Sequence, residues 1–507
     1  MKLVGRSKQN NFINISLILF VISLPFHAIE WDLFSISRFE IKVTMITFML
    51  LVVAWFLRFI KFERKRCLKE KLFYSFAFIY GISQFASLLN SPMPEESLKQ
   101  AVIISCLLIM MVIVSESVLN KETVISLLII MGIVSLVIGI WGFVYYVFFT
   151  EHSSRLGNNN GDLGIIYIGG DAPYFGDLLL YSIGPVFYVI LNFFDKKSWA
   201  WVKWFLLILW FSAIILTYTK AMIVSVVLFL IYLLFIFKKQ RLFIGKNLLL
   251  FIVATIFISN QSDIEKYAMK NIKTYSQLTN IKDTSIKDTS IKDTSIKDTS
   301  IKDTSIKDTS IKDTSIKDTS IKDTALRLNI FSLRGKHSFL IRVKAAIVSL
   351  INSTNSMKVF LVGNGAGLSQ KLLPQMANDL EKTLDRKSME FMEKYQVDGE
   401  GSNKSLLDAH NLFITEFFNV GIIGVISLLC LIALVVVEQI KIIRSSFEMD
   451  DINKFLSATL IAMLVFRFAS SFVVIPSLWF MLGLCFGVCK LYWSRSSTNA
   501  CKEIHNQ

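Results

Sequence analysis

The 507-residue chain contains little charge, little proline and little cysteine. Asp, Glu, Lys and Arg make up 18% of it, against about 25% in an ordinary globular domain, and it has seven prolines and six cysteines. Its residues are instead 53% hydrophobic, and its mean hydropathy is +0.54. Uncharged runs of about 17–25 residues, the length that crosses a bilayer as a helix, recur along most of the chain. This composition excludes an ordinary soluble domain and predicts a membrane protein.

The net charge of +15 does not predict a nucleic-acid partner. Lys and Arg lie in short clusters between the apolar runs and form no continuous basic stripe. All cysteines fall in predicted spans or predicted cytoplasmic segments, which predicts no disulfide; they are Cys67, Cys106, Cys430, Cys485, Cys489 and Cys501. Cys485 and Cys489 have no histidine or further cysteine near them in the sequence, so we expect no structural metal and no cofactor.

The apolar runs predict an all-α polytopic membrane protein with about twelve transmembrane helices. The ninth run is short and the last two nearly touch, so eleven or thirteen helices also fit the sequence. The runs cover residues 12–30, 43–60, 72–89, 101–119, 124–149, 177–194, 200–218, 221–237, 246–259, 411–437, 455–472 and 473–493. Residues 1–259 therefore hold nine spans, residues 411–493 hold three, and residues 260–410 form one large polar loop between them.

The distribution of basic residues predicts the orientation. Alternate loops, beginning with the N-terminal segment and ending with the tail 494–507, carry 24 Lys and Arg, whereas the short loops on the opposite side carry 5. The positive-inside rule places the first set in the cytoplasm. We therefore expect both termini to be cytoplasmic and the loop 260–410 to lie outside.

A pentapeptide tract lies inside this loop. Residues 281–320 are eight copies of Ile-Lys-Asp-Thr-Ser, and residues 321–325 are a ninth copy that ends in Ala. A period of five matches neither a helix nor a strand, because the Ile would not stay on one face of either. The favoured interpretation is a disordered linker, and a short β-solenoid is the alternative.

Candidate functional residues gather in and around the predicted outer loops. Residues 337–352 form a potential amphipathic helix that carries Arg342. Gly363, Gly365 and Gly367 mark a turn that is either simply tight or able to receive an anion on its backbone N–H groups. His410 stands at the head of the next span, where an imidazole is suited to act as a general base.

This succession of segments resembles the O-antigen ligase superfamily, which includes O-antigen ligases, O-antigen polymerases and bacterial O-oligosaccharyltransferases. The likeness covers roughly residues 200–440, and its most specific part runs from His410-Asn411 to Gly421-Ile-Ile-Gly424. The segment Thr217-Tyr-Thr-Lys-Ala221 is similar to the family's Thr-x-Ser-Arg-Gly, with Lys220 in the basic position. Lysine keeps the charge there but loses the two-pronged grip of arginine on phosphate.

The resemblance implies an inverting, metal-independent glycosyltransferase of a bacterial inner membrane. An undecaprenyl-diphosphate-linked glycan would be the donor, transferred at the periplasmic face among membrane lipids. The acceptor implied first is lipid A-core, as in an O-antigen ligase. A polymerase that uses a lipid-linked glycan as acceptor, a transferase with a protein acceptor, and a lipid-linked sugar transporter are the alternatives.

The resemblance also implies roles for individual residues. His410 would be the catalytic base, and Arg342 with Lys220 would neutralise the leaving diphosphate. Further cations for the diphosphate are Arg155 and Arg467, although Arg467 would alternatively snorkel to the interface. Asp408 and Asn411 would orient the imidazole or hold sugar hydroxyls, with a helix N-cap as the other role for Asp408. The glycines of the turn would support the site.

We predict that the pentapeptide tract is dispensable. Deleting several of its copies should leave the transfer activity of the protein unchanged, because identical copies indicate a length-variable array on which no catalytic geometry depends. Complementation of a deletion strain by the shortened protein tests this, and a loss of activity would contradict it.

Overall fold

A computed structural model describes most of the predicted spans. The described residues are 2–25, 35–36, 39–40, 43–59, 67–149, 172–194, 199–217, 219–257, 349–354, 356–369, 372, 411–445, 450–469 and 475–505. They belong to one compact unit, Met1–Ile258 with Ile341–Gln507. The second unit, Ser259–Leu340, contains the pentapeptide tract and lies outside the described residues, so the predictions made for the tract remain untested.

The described chain is helical apart from two strands of two residues each. The strands, β1 (Ser35–Ile36) and β2 (Phe39–Glu40), form an antiparallel pair. The helices are α1 (Lys2–Ser23), α2 (Val43–Phe59), α3 (Leu68–Ala86), α4 (Pro94–Ser117), α5 (Lys121–Phe149), α6 (Ala172–Tyr181), α7 (Ile183–Phe193), α8 (Ala200–Leu216), α9 (Lys220–Ile236), α10 (Lys238–Phe257), α11 (Met357–Val362), α12 (Leu412–Arg444), α13 (Asp450–Phe468) and α14 (Pro476–His505).

The helices confirm the predicted fold class in its coarser form. Each predicted span overlaps a helix or, for residues 177–194, the pair α6 and α7, which bends by 48° between its halves. Within the described residues, six helices are long and apolar enough to cross a membrane, or seven if the bent pair is one span. Four further apolar helices have only 10–17 residues. The count of twelve spans remains a prediction.

Helix α12 packs antiparallel to α3. Lys69, near the start of α3, contacts Glu438 near the end of α12, whereas Tyr80 contacts Glu416 near the start of α12. This arrangement defines two ends of the bundle, which we name the Asn411 end and the Glu438 end. Helix α9 is likewise antiparallel to α13, because Tyr232 of α9 bonds Ser457 near the start of α13 at 3.0 Å. Lys220, in the first turn of α9, and Arg467, in the last turn of α13, therefore lie at the same end of the bundle. This is the Asn411 end, because Asn411 Nδ2 donates to the Phe468 carbonyl of α13.

A break in α12 at Gly421 shapes the Asn411 end. Gly421 has φ 68° and ψ −172°, which interrupts the helix and frees carbonyls of the preceding turn. The Phe418 and Asn419 carbonyls accept the backbone N–H groups of Asn364 and Gly365 at 2.9 and 3.0 Å. The turn that follows α11 therefore closes the broken helix, and the two backbones lie in direct contact.

Close approach at this contact requires two glycines. A Cβ on Gly421 would stand 2.4 Å from the Leu361 carbonyl oxygen, and a Cβ on Gly363 would stand 2.3 Å from that of Asn419. Both residues also have positive φ, at 68° and 80°, which side chains other than glycine rarely adopt. Backbone conformation and packing thus demand glycine at each position.

We predict that Gly421→Ala and Gly363→Ala each destabilise the protein by about 1–3 kcal/mol, the range for a strained backbone residue, with steric overlap adding to it. The melting temperature of the purified protein in detergent should fall for both. Gly245→Ala is the control, because its Cβ would meet only a Leu234 methyl group at 3.8 Å. An unchanged melting temperature in the first two variants would show that the contact is dispensable.

Candidate functional site

Five helices bring polar side chains to the Asn411 end. We call this group the Asn411-end cluster; it consists of Asp177 (α6), Lys220 (α9), Asn411 (the residue before α12), Arg467 (α13) and Ser477 (α14). Packing holds the helices together, since Gly176 of α6 lies against Met222 of α9, where a Cβ would stand 2.7 Å from the Met222 sulfur. Three of the predicted site residues, Lys220, Asn411 and Arg467, are therefore collected at one end of the bundle.

Arg467 forms a buried ion pair with Asp177. Its Nη2 donates to Asp177 Oδ1 at 2.6 Å, and the two side chains are 0% and 1% exposed. Arg467 Nη2 also lies 3.4 Å from Ser477 Oγ, and the Ser477 hydroxyl donates to the second oxygen of Asp177. The pair joins α6, α13 and α14.

Because Arg467 and Asp177 are both buried, each charge is stabilised mainly by the other. An isolated charge inside a membrane protein is costly, so intramembrane charges pair with one another. Removing one partner of a buried pair typically costs about 3–5 kcal/mol, since the other charge stays buried without compensation. The sequence-based interpretation that Arg467 snorkels to the interface is wrong, because its guanidinium is fully enclosed.

Asn411 caps helix α12. Its Oδ1 accepts the backbone N–H groups of Phe413 and Ile414 at 3.0 and 3.2 Å, and its Nδ2 donates to the Phe468 carbonyl at 3.2 Å. The cap thus also links α12 to the end of α13, next to Arg467. The N-cap role expected for Asp408 as an alternative is wrong, because the helix begins at Leu412 with Asn411 in that position.

Lys220 is the first residue of α9 and is exposed. The N-terminus of a helix carries a partial positive charge, which a lysine in the first turn reinforces instead of balancing. Helix and side chain together therefore create positive potential at the Asn411 end. Such a combination attracts anions.

The glycine turn does not present its first N–H groups to an anion. Gly363 N donates to Val359 O, and the N–H groups of Asn364 and Gly365 bond the carbonyls of α12. Ser369 N donates to Asn419 Oδ1 at 3.1 Å. Positive φ at Gly363, Gly365 and Gly367 confirms a tight turn, and the structure shows it packing against a helix. Anion binding by these backbone groups is contradicted for Asn364 and Gly365, which are already bonded.

Glu416 forms the centre of a second buried polar group. Its carboxylate accepts the Tyr80 hydroxyl at 2.5 Å and the side-chain amides of Gln84 and Asn419, each at 3.3 Å. Tyr80 and Gln84 belong to α3, so the Glu416 side chain links α12 to α3. Asn419 connects this group to the glycine turn through its bond to Ser369.

A small cavity opens beside the ion pair. Its lining includes the polar side chains of Asp177, Tyr181 and Ser477 and the apolar side chains of Leu24, Leu178 and Ile475. Leu24 directly follows α1, so a third segment closes the space beside α6 and the start of α14. A cavity this small has room for at most about one water molecule near its polar wall.

Four predicted site residues, His410, Arg342, Arg155 and Asp408, lie outside the described residues. Sequence reasoning missed Asp177, Tyr80 and Gln84. One signal for Asp177 exists, because it is an acid at the start of a predicted span, and charged residues in membrane spans are usually paired inside the bundle. Within the described part of the chain, no group of three or more His, Cys, Asp and Glu side chains is arranged to hold a metal ion.

The fold and the buried polar groups define a helical membrane protein. Comparison of the sequence with protein-family models and with curated proteins finds no match in either set.

We predict that Asp177→Leu destabilises the protein by about 3–5 kcal/mol through the uncompensated charge of Arg467. The double variant Asp177→Leu with Arg467→Met should recover most of this loss, because an apolar pair of similar volume replaces the ion pair. Thermal unfolding in detergent provides the measurement. Asp451→Asn is the control, since that carboxylate is 69% exposed and pairs with Lys454 at the surface, where ion pairs contribute little. Equal effects of the single variants at 177 and 451 would refute the buried pair.

Proposed function

We propose that the protein is a membrane glycosyltransferase of the O-antigen ligase type. It would transfer a glycan from undecaprenyl diphosphate to lipid A-core at the outer face of a bacterial inner membrane. The observation that carries the proposal is the gathering of Lys220, Arg467 and Asn411 at one end of the bundle. Asn411 directly follows His410 in the chain, so the proposed base is the chain neighbour of a residue in this cluster.

The electrostatics of the cluster support an anionic donor. Lys220 and the N-terminus of α9 add positive potential at the same place, and a diphosphate would balance both. Arg342 and Arg155 would provide further cations. Arg467 does not bind the diphosphate in this proposal, because its Nη2 is bonded to Asp177; instead it holds α6, α13 and α14 together near the proposed diphosphate site.

The proposed chemistry requires few groups. The His410 imidazole takes the proton of the acceptor hydroxyl as that oxygen attacks the anomeric carbon of the donor sugar. The bond to the diphosphate breaks on the opposite face of the sugar, which inverts the anomeric configuration. Lys220 and Arg342 stabilise the negative charge that develops on the leaving oxygen. An acceptor that is itself lipid-linked would make the same reaction a polymerisation.

A transporter of lipid-linked sugars is the second candidate, and two observations favour it. The pair α6 and α7 is bent by 48°, and α12 is broken at Gly421 beside the buried acid Glu416. Discontinuous helices with buried charged residues are typical of transporter substrate sites. The ligase proposal is preferred because the exposed Lys220 and Asn411, the chain neighbour of the base candidate, lie at one end of the bundle.

The proposal is tested first by deleting the gene and separating the lipopolysaccharide on a gel. Loss of all O-antigen together with accumulation of the lipid-linked polymer supports a ligase. Core carrying a single repeat unit indicates a polymerase, and lipid-linked units retained on the cytoplasmic side indicate a transporter.

We predict that His410→Ala reduces the transfer rate by about 10²–10⁴-fold in membranes that contain equal amounts of protein, because general-base assistance is lost. Lys220→Gln should raise the donor KM, whereas Lys220→Arg should keep it close to that of the unchanged protein. His152→Ala is the control, a histidine of another predicted outer loop. Full activity of the His410→Ala protein would exclude the proposed base.

A further inference from the structure

Helix α10 lies at the periphery of the bundle. Only 17% of its most apolar 18-residue stretch is buried, which is the smallest share among the six helices that are long and apolar enough to span a membrane. Four of its exposed apolar side chains form a stripe at positions i, i+7, i+11 and i+14, which lie on one face of a helix; they are Leu242, Leu249, Val253 and Ile256. Nothing in the described part of the chain covers this stripe.

A group of cations surrounds Leu242, the first residue of the stripe. Lys238, Lys239, Arg241 and Lys246 are all exposed, and within the described residues none of them forms an ion pair. Lys203 of α8 joins them from the neighbouring helix, since its Nζ lies 4.1 Å from the centre of the Phe243 ring. We call these five residues the basic foot of α10.

Aromatic side chains flank the basic foot. Trp201 is 71% exposed and Trp199 is 49% exposed, and both stand at the start of α8. Trp204 packs against Phe243 with ring centres 5.4 Å apart, which holds the starts of α8 and α10 together. Tryptophans at this position mark the headgroup level of a bilayer.

The stripe continues well beyond the last cation of the basic foot. Ten residues separate Lys246 from Ile256, the last residue of the stripe. At 1.5 Å per residue they span about 15 Å along the helix axis. A phosphate at the basic foot would therefore place an acyl chain of ordinary length along the stripe.

We propose that the basic foot and the stripe of α10 together bind an anionic phospholipid. Lys238, Lys239 and Lys246 contact the phosphate, and an acyl chain lies along Leu249 and Val253. Charge decides the class of lipid, because a phosphatidylglycerol neutralises cations that a zwitterionic headgroup leaves partly uncompensated. A second copy of the chain fits the surface less well. In a dimer with its axis along the membrane normal, two basic feet would meet at the same level and repel each other.

Native mass spectrometry of the full chain in detergent, titrated with phosphatidylglycerol or phosphatidylcholine, tests the proposal. The unchanged protein should bind phosphatidylglycerol preferentially. The triple variant Lys238→Gln, Lys239→Gln and Lys246→Gln should bind it at least about tenfold more weakly, with binding of phosphatidylcholine unchanged. The triple Lys→Arg variant at the same positions should retain the preference, because it keeps the charge.

The matched control removes the same charge elsewhere. It carries Lys71→Gln, Lys99→Gln and Lys358→Gln, three substitutions at lysines outside the basic foot, and it should bind like the unchanged protein. An equal loss in the control would show that net charge alone attracts the lipid. A preference that survives in the Lys238/Lys239/Lys246 variant would overturn the proposal. So would a lipid-independent dimer that Leu249→Cys crosslinks.

Discussion

The break in α12 is the constraint on which the Asn411 end depends. A helix inside a bilayer has no water to satisfy its backbone, so an interruption frees carbonyls that must find donors within the protein. Here Asn364 and Gly365 supply them, and Gly363 and Gly421 permit the two backbones to approach closely enough. The glycine turn thereby completes the backbone hydrogen bonding of a helix that lies some fifty residues later in the chain.

The same requirement explains the buried polar side chains. Asp177 and Arg467 compensate each other, and Glu416 accepts hydrogen bonds from three side chains, including that of Tyr80. These two groups differ in charge. The first contains a cation and an anion, whereas Tyr80, Gln84 and Asn419 are neutral donors to Glu416. Both lie near the Asn411 end, where the proposed donor would bind, so they fix the helix ends that would surround it.

Much of the fold is predictable from hydropathy alone. Each predicted span overlaps a helix, because twenty apolar residues in sequence leave few alternatives to a helix in lipid. The candidate site is only partly predictable. Lys220 and Asn411 are apparent from their motifs, whereas Asp177 belongs to an apolar segment with no motif at all. Its partner Arg467 is 290 residues away, and only packing brings the two together.

The sequence by itself determined the solvent of this protein, its helical class and the positions of its helices, because hydropathy and length act locally along the chain. Tertiary structure decided what individual polar residues do. Arg467 is enclosed with Asp177 instead of reaching the interface. Asn411 caps α12, although the sequence also allowed Asp408 as the N-cap. The first two glycines of the turn meet the carbonyls of α12. Such roles depend on which side chains lie within hydrogen-bonding distance, and residues far apart in sequence decide that.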